Sequence, residues 1–232
     1  MKRKLLGLLA CLAMVLTLCI LQFVEARRTQ SGRVHQHQTA RAYEADGCDG
    51  SQLCSHLPLV VIDTRNQELP GKNTGAVDRY GESIHTMAED GTTTVRVDVS
   101  VIDQKTQNNH LWDQPAFSTE AEMRIRGHAS RSFVKAPYLL KFVKEDGSKR
   151  NIQVMGMDAH NEWVLHGPYL DKSLIRNYLF YNLAGEMMDY APNVRYCEVV
   201  LNGEYRGLYL MVESITNGED GRLYLKKVSK IP

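Results

Sequence analysis

Val199-Val200-Leu201-Asn202-Gly203-Glu204-Tyr205-Arg206-Gly207-Leu208-Tyr209-Leu210-Met211-Val212 is the stretch from which the fold can be read. Two apolar, β-prone runs flank Asn202-Gly203. A two-residue type I′ turn needs positive φ at both central positions, and Asn-Gly tolerates that best. The segment is therefore a predicted β-hairpin. Gly207 inside its second arm predicts a bulge or a close backbone approach.

Working outward, the same strand chemistry recurs. Leu59-Val60-Val61-Ile62, bounded by Pro58 and Asp63-Thr64, reads as a buried strand. Val95, Val97, Val99 and Val101 alternate with Arg96, Asp98 and Ser100, the period-2 pattern of a half-buried strand. Ala121, Met123 and Ile125 alternate with Glu122, Arg124 and Arg126 and stop at Gly127. Tyr138 to Val143 follows Pro137 as a further strand, and Asp146-Gly147 turns the chain toward a short strand at Ile152 to Val154. Arg222 to Lys227 is a last candidate strand. One helix stands out. It is predicted to start at Asp171 or Ser173 and to run to about Met188, with Ile175, Leu179, Leu183 and Met187 on one apolar face. That face is broad enough to predict packing into a core. The sum is an α+β architecture: a mainly antiparallel sheet with one long helix.

The chain has 232 residues, 43% hydrophobic and 24% charged, with a formal net charge of +1. Such a balance carries no global basic field and excludes a dedicated nucleic-acid binder. Lys2, Arg3 and Lys4 precede an almost purely apolar run from Leu5 to Val24, and Val24-Glu25-Ala26 offers a cleavage site before Arg27. Residues 1–26 are thus a signal peptide or a retained membrane anchor, and both leave the rest of the chain exported, outside the cell. Residues 27–56 are polar and aperiodic and read as a flexible tether. Residues 57–232 form the folded domain. Cys48 and Cys54 sit in a polar, Gly-containing stretch and read either as a small disulfide loop or as two free thiols. Cys197 reads as a strand core residue. His35 and His37 read as an incidental pair, and no metal site is predicted.

Three segments then carry a family resemblance. Met123 to Phe142 (MRIRGHASRSFVKAPYLLKF), Trp163 to Met187 (WVLHGPYLDKSLIRNYLFYNLAGEM) and Val199 to Ile215 (VVLNGEYRGLYLMVESI) resemble, in order and spacing, the CotH (spore-coat protein H) kinase-like family. Met123 to Phe142 is similar to that family's Arg-Gly-x-x-Ser loop followed by a basic-Pro-Tyr strand. Trp163 to Met187 is similar to its Asp-Lys-Ser-Leu-x-Arg-Asn helix start. Val199 to Ile215 is similar to its Asn-Gly-x-Tyr-x-Gly-x-Tyr hairpin. The resemblance implies the β-rich N-lobe of an atypical kinase. It also implies ATP with a divalent cation such as Mg²⁺ as cofactors, and Ser or Thr phosphorylation of a secreted or surface protein.

A kinase needs cations on the phosphates, carboxylates on the metal and a base at the acceptor hydroxyl. Arg126, Arg131, Lys135 and Lys141 supply the first requirement around a loop whose backbone N–H groups, from Gly127 to Ser130, can face phosphate oxygens. Lys141 is the leading candidate for the phosphate lysine and Lys135 its rival; a solvated basic hairpin is the plain alternative. Glu213, by resemblance, lies at the hinge, or else is a strand-end carboxylate. Glu186 reads as solvated. Arg176 on an apolar helix calls for a buried partner or a cleft. The resemblance implies catalytic and metal-binding aspartates after Glu213, but no Asp-x-Asp pattern follows it, so the domain reads as truncated, a fragment or a remnant, and this polypeptide alone is expected to transfer little or no phosphate. Two other readings use the same residues. One is a non-catalytic cell-surface binding or adhesion module. The weaker one is a glycosidase built on Glu198 and Glu213.

Overall fold

The computed structural model describes residues 12–20, 35–39, 48, 51–188 and 191–215. The candidate strand at 222–227 and most of the N-terminal apolar run lie outside these; residues 12–20 are helical. No helix among the described residues is long and apolar enough to cross a membrane.

The strands are β1 (Cys54–Ser55), β2 (Leu59–Asp63), β3 (Asn73–Val77), β4 (Ser83–His85), β5 (Val95–Ile102), β6 (Asn109–His110), β7 (Phe117–Ile125), β8 (Tyr138–Val143), β9 (Glu162–His166), β10 (Val194–Leu201) and β11 (Glu204–Glu213), with helix α1 (Arg176–Met187) before β10. Seven of them close into a barrel in the order β10-β11-β9-β8-β7-β5-β2. Closure goes beyond the mainly antiparallel sheet expected from sequence. It is made by a parallel pairing of β2 with β10, Leu59 opposite Glu198 and Ile62 opposite Leu201. The other barrel pairings are antiparallel. The short ribbons β1–β6 and β3–β4 lie outside it.

Alternation along each strand sorts the side chains. Val97, Val99, Ala121, Met123, Leu140, Phe142, Trp163, Cys197 and Tyr209 fill the interior and are essentially inaccessible. Burying such side chains contributes about 1.5–3 kcal/mol each, which makes the lumen the dominant stabilising element. The Trp163 indole N–H is satisfied by the His160 carbonyl at 3.0 Å. The hairpin forms as read: Asn202 and Gly203 take φ of 52° and 77°, and Gly207, at φ 88°, sits opposite Val199 where the register shifts. Ile152 makes only an isolated bridge to His160, so the short strand expected at 152–154 is reduced to that pair.

The helix differs from expectation in two ways. It begins at Arg176 and spans 12 residues. Leu174 adopts φ 62°, a left-handed conformation that interrupts any helix started earlier. The Asp171 carboxylate organises this turn, accepting from Ser173 N (3.1 Å), Ser173 Oγ (2.6 Å) and Arg176 N (2.9 Å), while the Tyr196 hydroxyl donates to the Leu174 carbonyl at 3.0 Å. In addition, α1 buries Tyr178 and Asn182, not the Ile175–Leu179–Leu183–Met187 stripe, which faces solvent. Tyr178 packs on the outer barrel wall against Leu139, Val164, Val194, Leu210 and Val212, and stacks on Tyr196 at 4.6 Å. The outer wall offers an aromatic partner at that point, and the helix rotates to use it.

Candidate functional site

The rim of the barrel where β7 ends and β8 begins is built from backbone constraints. Arg126 N donates to the Pro137 carbonyl at 3.0 Å and closes the 126–137 loop, whose middle is a 3₁₀ turn at Ala129–Ser132. Gly127 takes φ 106°, and a Cβ there would lie 2.0 Å from Ser130 Oγ, so only glycine fits under Ser130. Arg131 is committed to the scaffold: Nε donates to the Gly127 carbonyl (2.5 Å) and Nη1 to those of Gly71 (3.0 Å) and Ile125 (3.2 Å). Burial, then the neighbouring charges of Arg124 and Arg126, push its pKa down.

Lys135 is half-buried at this rim. Its ammonium lies 5.1 Å from the centre of the Tyr209 ring, and burial lowers its pKa. Two glycines make room for it. A Cβ at Gly167 would sit 2.8 Å from the Lys135 carbonyl oxygen, and one at Gly207 would sit 3.4 Å from its Nζ. The close approach predicted at Gly207 is therefore made by Lys135. Tyr209 anchors the loop by donating to the Ala136 carbonyl at 3.2 Å. Arg126 is exposed, beside His166 at the end of β9. Neither Arg126 nor Lys135 has a carboxylate ion-pair partner among the described residues. His166 hydrogen-bonds Asn177 of α1; its pKa is depressed by burial first and by Arg126 second, against the Asn177 bond and Asp171.

Lys141 and Glu213 stand apart from this rim. Lys141 lies three positions along β8 from Tyr138, about 10 Å, and its register partner is Glu162. It points outward, with Nζ 3.8 Å from Glu162 Oε2; Glu162 Oε1 accepts from Ser214 Oγ at 2.6 Å. Glu213 belongs to the opposite end, where it pairs with the inward-facing Trp163. Its carboxylate accepts from Asn193 N (2.8 Å) and Asn193 Nδ2 (2.9 Å) and fixes the entry to β10. So Arg126, Gly127, Ser130 and Lys135 share one rim, and Lys141 and Glu213 neither join them nor face each other directly. The Arg176 side chain is itself exposed, and it has the buried partner expected for it: the Asp171 carboxylate, 3.6 Å away. Glu186 pairs with His35 at 2.5 Å.

Sequence reasoning missed His166 and Glu162. Both lie on β9, which was not read as a strand. The signal for His166 was its place in the Leu165-His166-Gly167-Pro168 run, one residue before the glycine that Lys135 requires.

No curated protein matches the chain. The family described as CotH kinase protein matches residues 123–227. That span starts in β7 and takes in the 126–137 loop, β8, β9, α1 and the β10–β11 hairpin, so all the rim residues fall within it. Over residues 123–227, somewhat under half of its length, the chain is similar to the CotH kinase family.

Proposed function

We propose that the protein contributes the β-rich, nucleotide-holding part of a CotH-type kinase and that the triphosphate of ATP docks at the Arg126–Lys135 rim. The observation that carries this is the pairing of an exposed Arg126 and a half-buried Lys135, neither neutralised by a carboxylate among the described residues, beside a glycine loop held at positive φ. A half-buried cation without a counter-ion is unfavourable in the empty protein. A phosphate oxygen supplies the missing charge, and the Tyr209 ring meanwhile offers a weaker cation–π contact. Ser130 and the backbone N–H groups of the loop add neutral donors. Lys141 is the poorer candidate, because Glu162 already faces it on the outer wall.

The rim fits phosphate better than it fits a divalent cation. Asp171, the carboxylate beside His166, is occupied by Ser173 and Arg176. In this reading Mg²⁺ reaches the rim on the nucleotide. The chain's own residues bind and orient the phosphates, and the acceptor is a hydroxyl of a secreted or surface protein reached by an exported domain tethered through its N-terminal segment. The exposed Leu179, Phe180, Leu183 and Met187 on α1 favour an alternative, a binding module without chemistry.

Thermal unfolding with and without ATP and Mg²⁺ separates the two. At a hundredfold excess over Kd, ligand binding stabilises by about 2.7 kcal/mol, which raises Tm by several degrees in a chain of this size. The shift should vanish in Arg126→Ala and Lys135→Ala and persist in Lys141→Ala. Comparing shifts, not Tm values, removes any intrinsic cost of the substitutions. If Lys141→Ala alone loses the shift, the site lies on the outer wall; if the wild-type protein gives none, the nucleotide reading fails and the binding module stands.

A further inference from the structure

The β1–β6 ribbon lies away from the barrel rim and has its own chemistry. Its register places Cys54 directly opposite His110. Cys48 comes back onto the same spot, with Sγ 3.7 Å from His110 Nε2, and forms a disulfide with Cys54. The two sulfur atoms and one ring nitrogen all lie within 4.8 Å of one another.

The histidine is oriented from behind. Its Nδ1 lies 3.3 Å from Asp113 Oδ2, and the same oxygen accepts the His110 backbone N–H at 2.8 Å. A carboxylate at Nδ1 holds the ring proton there and leaves the Nε2 lone pair directed at the sulfur, the arrangement that supports metal-ligating histidines. Trp112 stacks on the ring at 4.5 Å and fixes its plane. The ribbon is itself pinned by the buried Asn109, which donates to the Leu57 carbonyl at 3.0 Å and accepts from Gln104 N at 2.7 Å.

We propose that Cys48, Cys54 and His110 form a thiol-gated zinc site, closed by the disulfide in one state and by the metal in the other. Tetrahedral zinc with Zn–S of about 2.3 Å and Zn–N of about 2.0 Å sets its S···N separation at about 3.5 Å, close to the 3.7 Å already present between Cys48 and His110. Opening requires a dithiol reductant. The Cys48–Cys54 S–S bond breaks, each Sγ gains one electron and one proton, and the reductant becomes its own disulfide. Zinc then displaces both thiol protons and takes two thiolates and the neutral imidazole, with a fourth position left for water on the exposed Cys48 side. The disulfide form lacks thiolates and does not bind. Cys48 stays linked to Cys54 in both states, through the disulfide or through the metal, so the ribbon keeps its register while its charge and its ligand change.

The probe is cobalt(II), whose thiolate complexes absorb through sulfur-to-metal charge transfer. The full chain, reduced by a dithiol and desalted without oxygen, is titrated with cobalt and then with zinc. One equivalent should give a charge-transfer band and tetrahedral d–d bands, and zinc should abolish both. Oxidised protein should give neither. Cys48→Ser should remove the band, and His110→Ala should weaken zinc binding at least tenfold in a competition assay with a chromophoric chelator. Asp113→Asn still accepts the His110 N–H and so keeps the ribbon; it should weaken binding about tenfold. No band in the reduced wild-type protein, equal cobalt binding by the oxidised form, or unchanged zinc affinity in both His110→Ala and Asp113→Asn overturns the proposal.

Discussion

At the residue scale, His166 shows how one side chain reports the fit of helix against barrel. It lies at the end of β9, hydrogen-bonded to Asn177 of α1, with Arg126 and Asp171 as its charged neighbours. Burial and Arg126 lower its pKa from the usual 6.5 or so and win over the two groups that raise it. The unfolded chain therefore binds more protons than the folded one just below the ordinary histidine pKa. Stability then rises with pH in that window. The contribution is complete above about pH 6.5 and is lost as pH falls through that value toward the folded pKa. Unfolding midpoints measured from pH 7.5 to 5 should fall for the wild-type protein and fall less steeply for His166→Asn. The carboxylates with lowered pKa, Asp90, Asp98, Asp146 and Asp171, titrate below this range and do not confound it. Equal slopes in the two proteins would mean that another group carries the dependence. Cys197, in contrast, is fully buried with its thiol pushed far up, so it stays protonated and inert to alkylation in the folded chain.

At the element scale, α1 carries two apolar surfaces and uses one. Tyr178, 8% exposed, meets the outer wall, whereas Phe180, 63% exposed, meets solvent. Tyr178→Ala should cost about 3 kcal/mol, the usual range for removing a packed aromatic. Phe180→Ser should stay within about 0.5 kcal/mol, as for surface substitutions. Urea denaturation of the two variants decides this, and a large loss in Phe180→Ser would show that something covers that face in solution. The same contrast explains what could be read from sequence. β2, β5, β7, β8 and the β10–β11 hairpin were legible because each pairs a filled lumen with turn chemistry or with a more polar outer face, giving alternation or an Asn-Gly signal. β9 was not, because Trp163, Val164 and Leu165 are covered on both sides, by the lumen and by the packing around Tyr178, which erases the period. The exposed β3 strand has no apolar face to alternate. Periodicity located α1 and misjudged its orientation, since the choice between its faces depends on Tyr196, eighteen positions from Tyr178 in the sequence. The rim cluster was legible for a local reason: Arg126 to Lys135 is one short loop. That Lys141 points outward and Glu213 belongs to the other end follows from strand pairing around the barrel, which no local pattern contains.

At the scale of the whole molecule, everything that positions the rim depends on closing the barrel, and closure rests on a pairing distant in sequence. β2 meets β10 only over Leu59–Ile62 and Glu198–Leu201. Asn202 extends that seam. Its backbone N–H donates to the Ile62 carbonyl at 2.8 Å, its Oδ1 accepts from Thr64 N at 2.8 Å, and its Nδ2 donates to Thr64 Oγ1 at 3.0 Å. One residue thus satisfies the left-handed requirement of the hairpin turn and clasps the far edge of the sheet. Three substitutions separate these roles. Asn202→Asp keeps an acceptor for Thr64 N and tolerates φ of 52°, so it should be mild. Asn202→Gly keeps the turn but leaves the N–H of Thr64, a residue 1% exposed, unsatisfied, at a cost of about 1–3 kcal/mol. Asn202→Ala adds the steric cost of a left-handed Cβ, about 1–2 kcal/mol. Stability should therefore decrease in the order Asp, Gly, Ala. Amide hydrogen exchange should show β2 losing protection before β7 and β8, because the seam opens while the antiparallel wall persists. Uniform loss of protection in all barrel strands, or an Asn202→Gly variant as stable as wild type, would show that the β2–β10 pairing closes the barrel without the clasp.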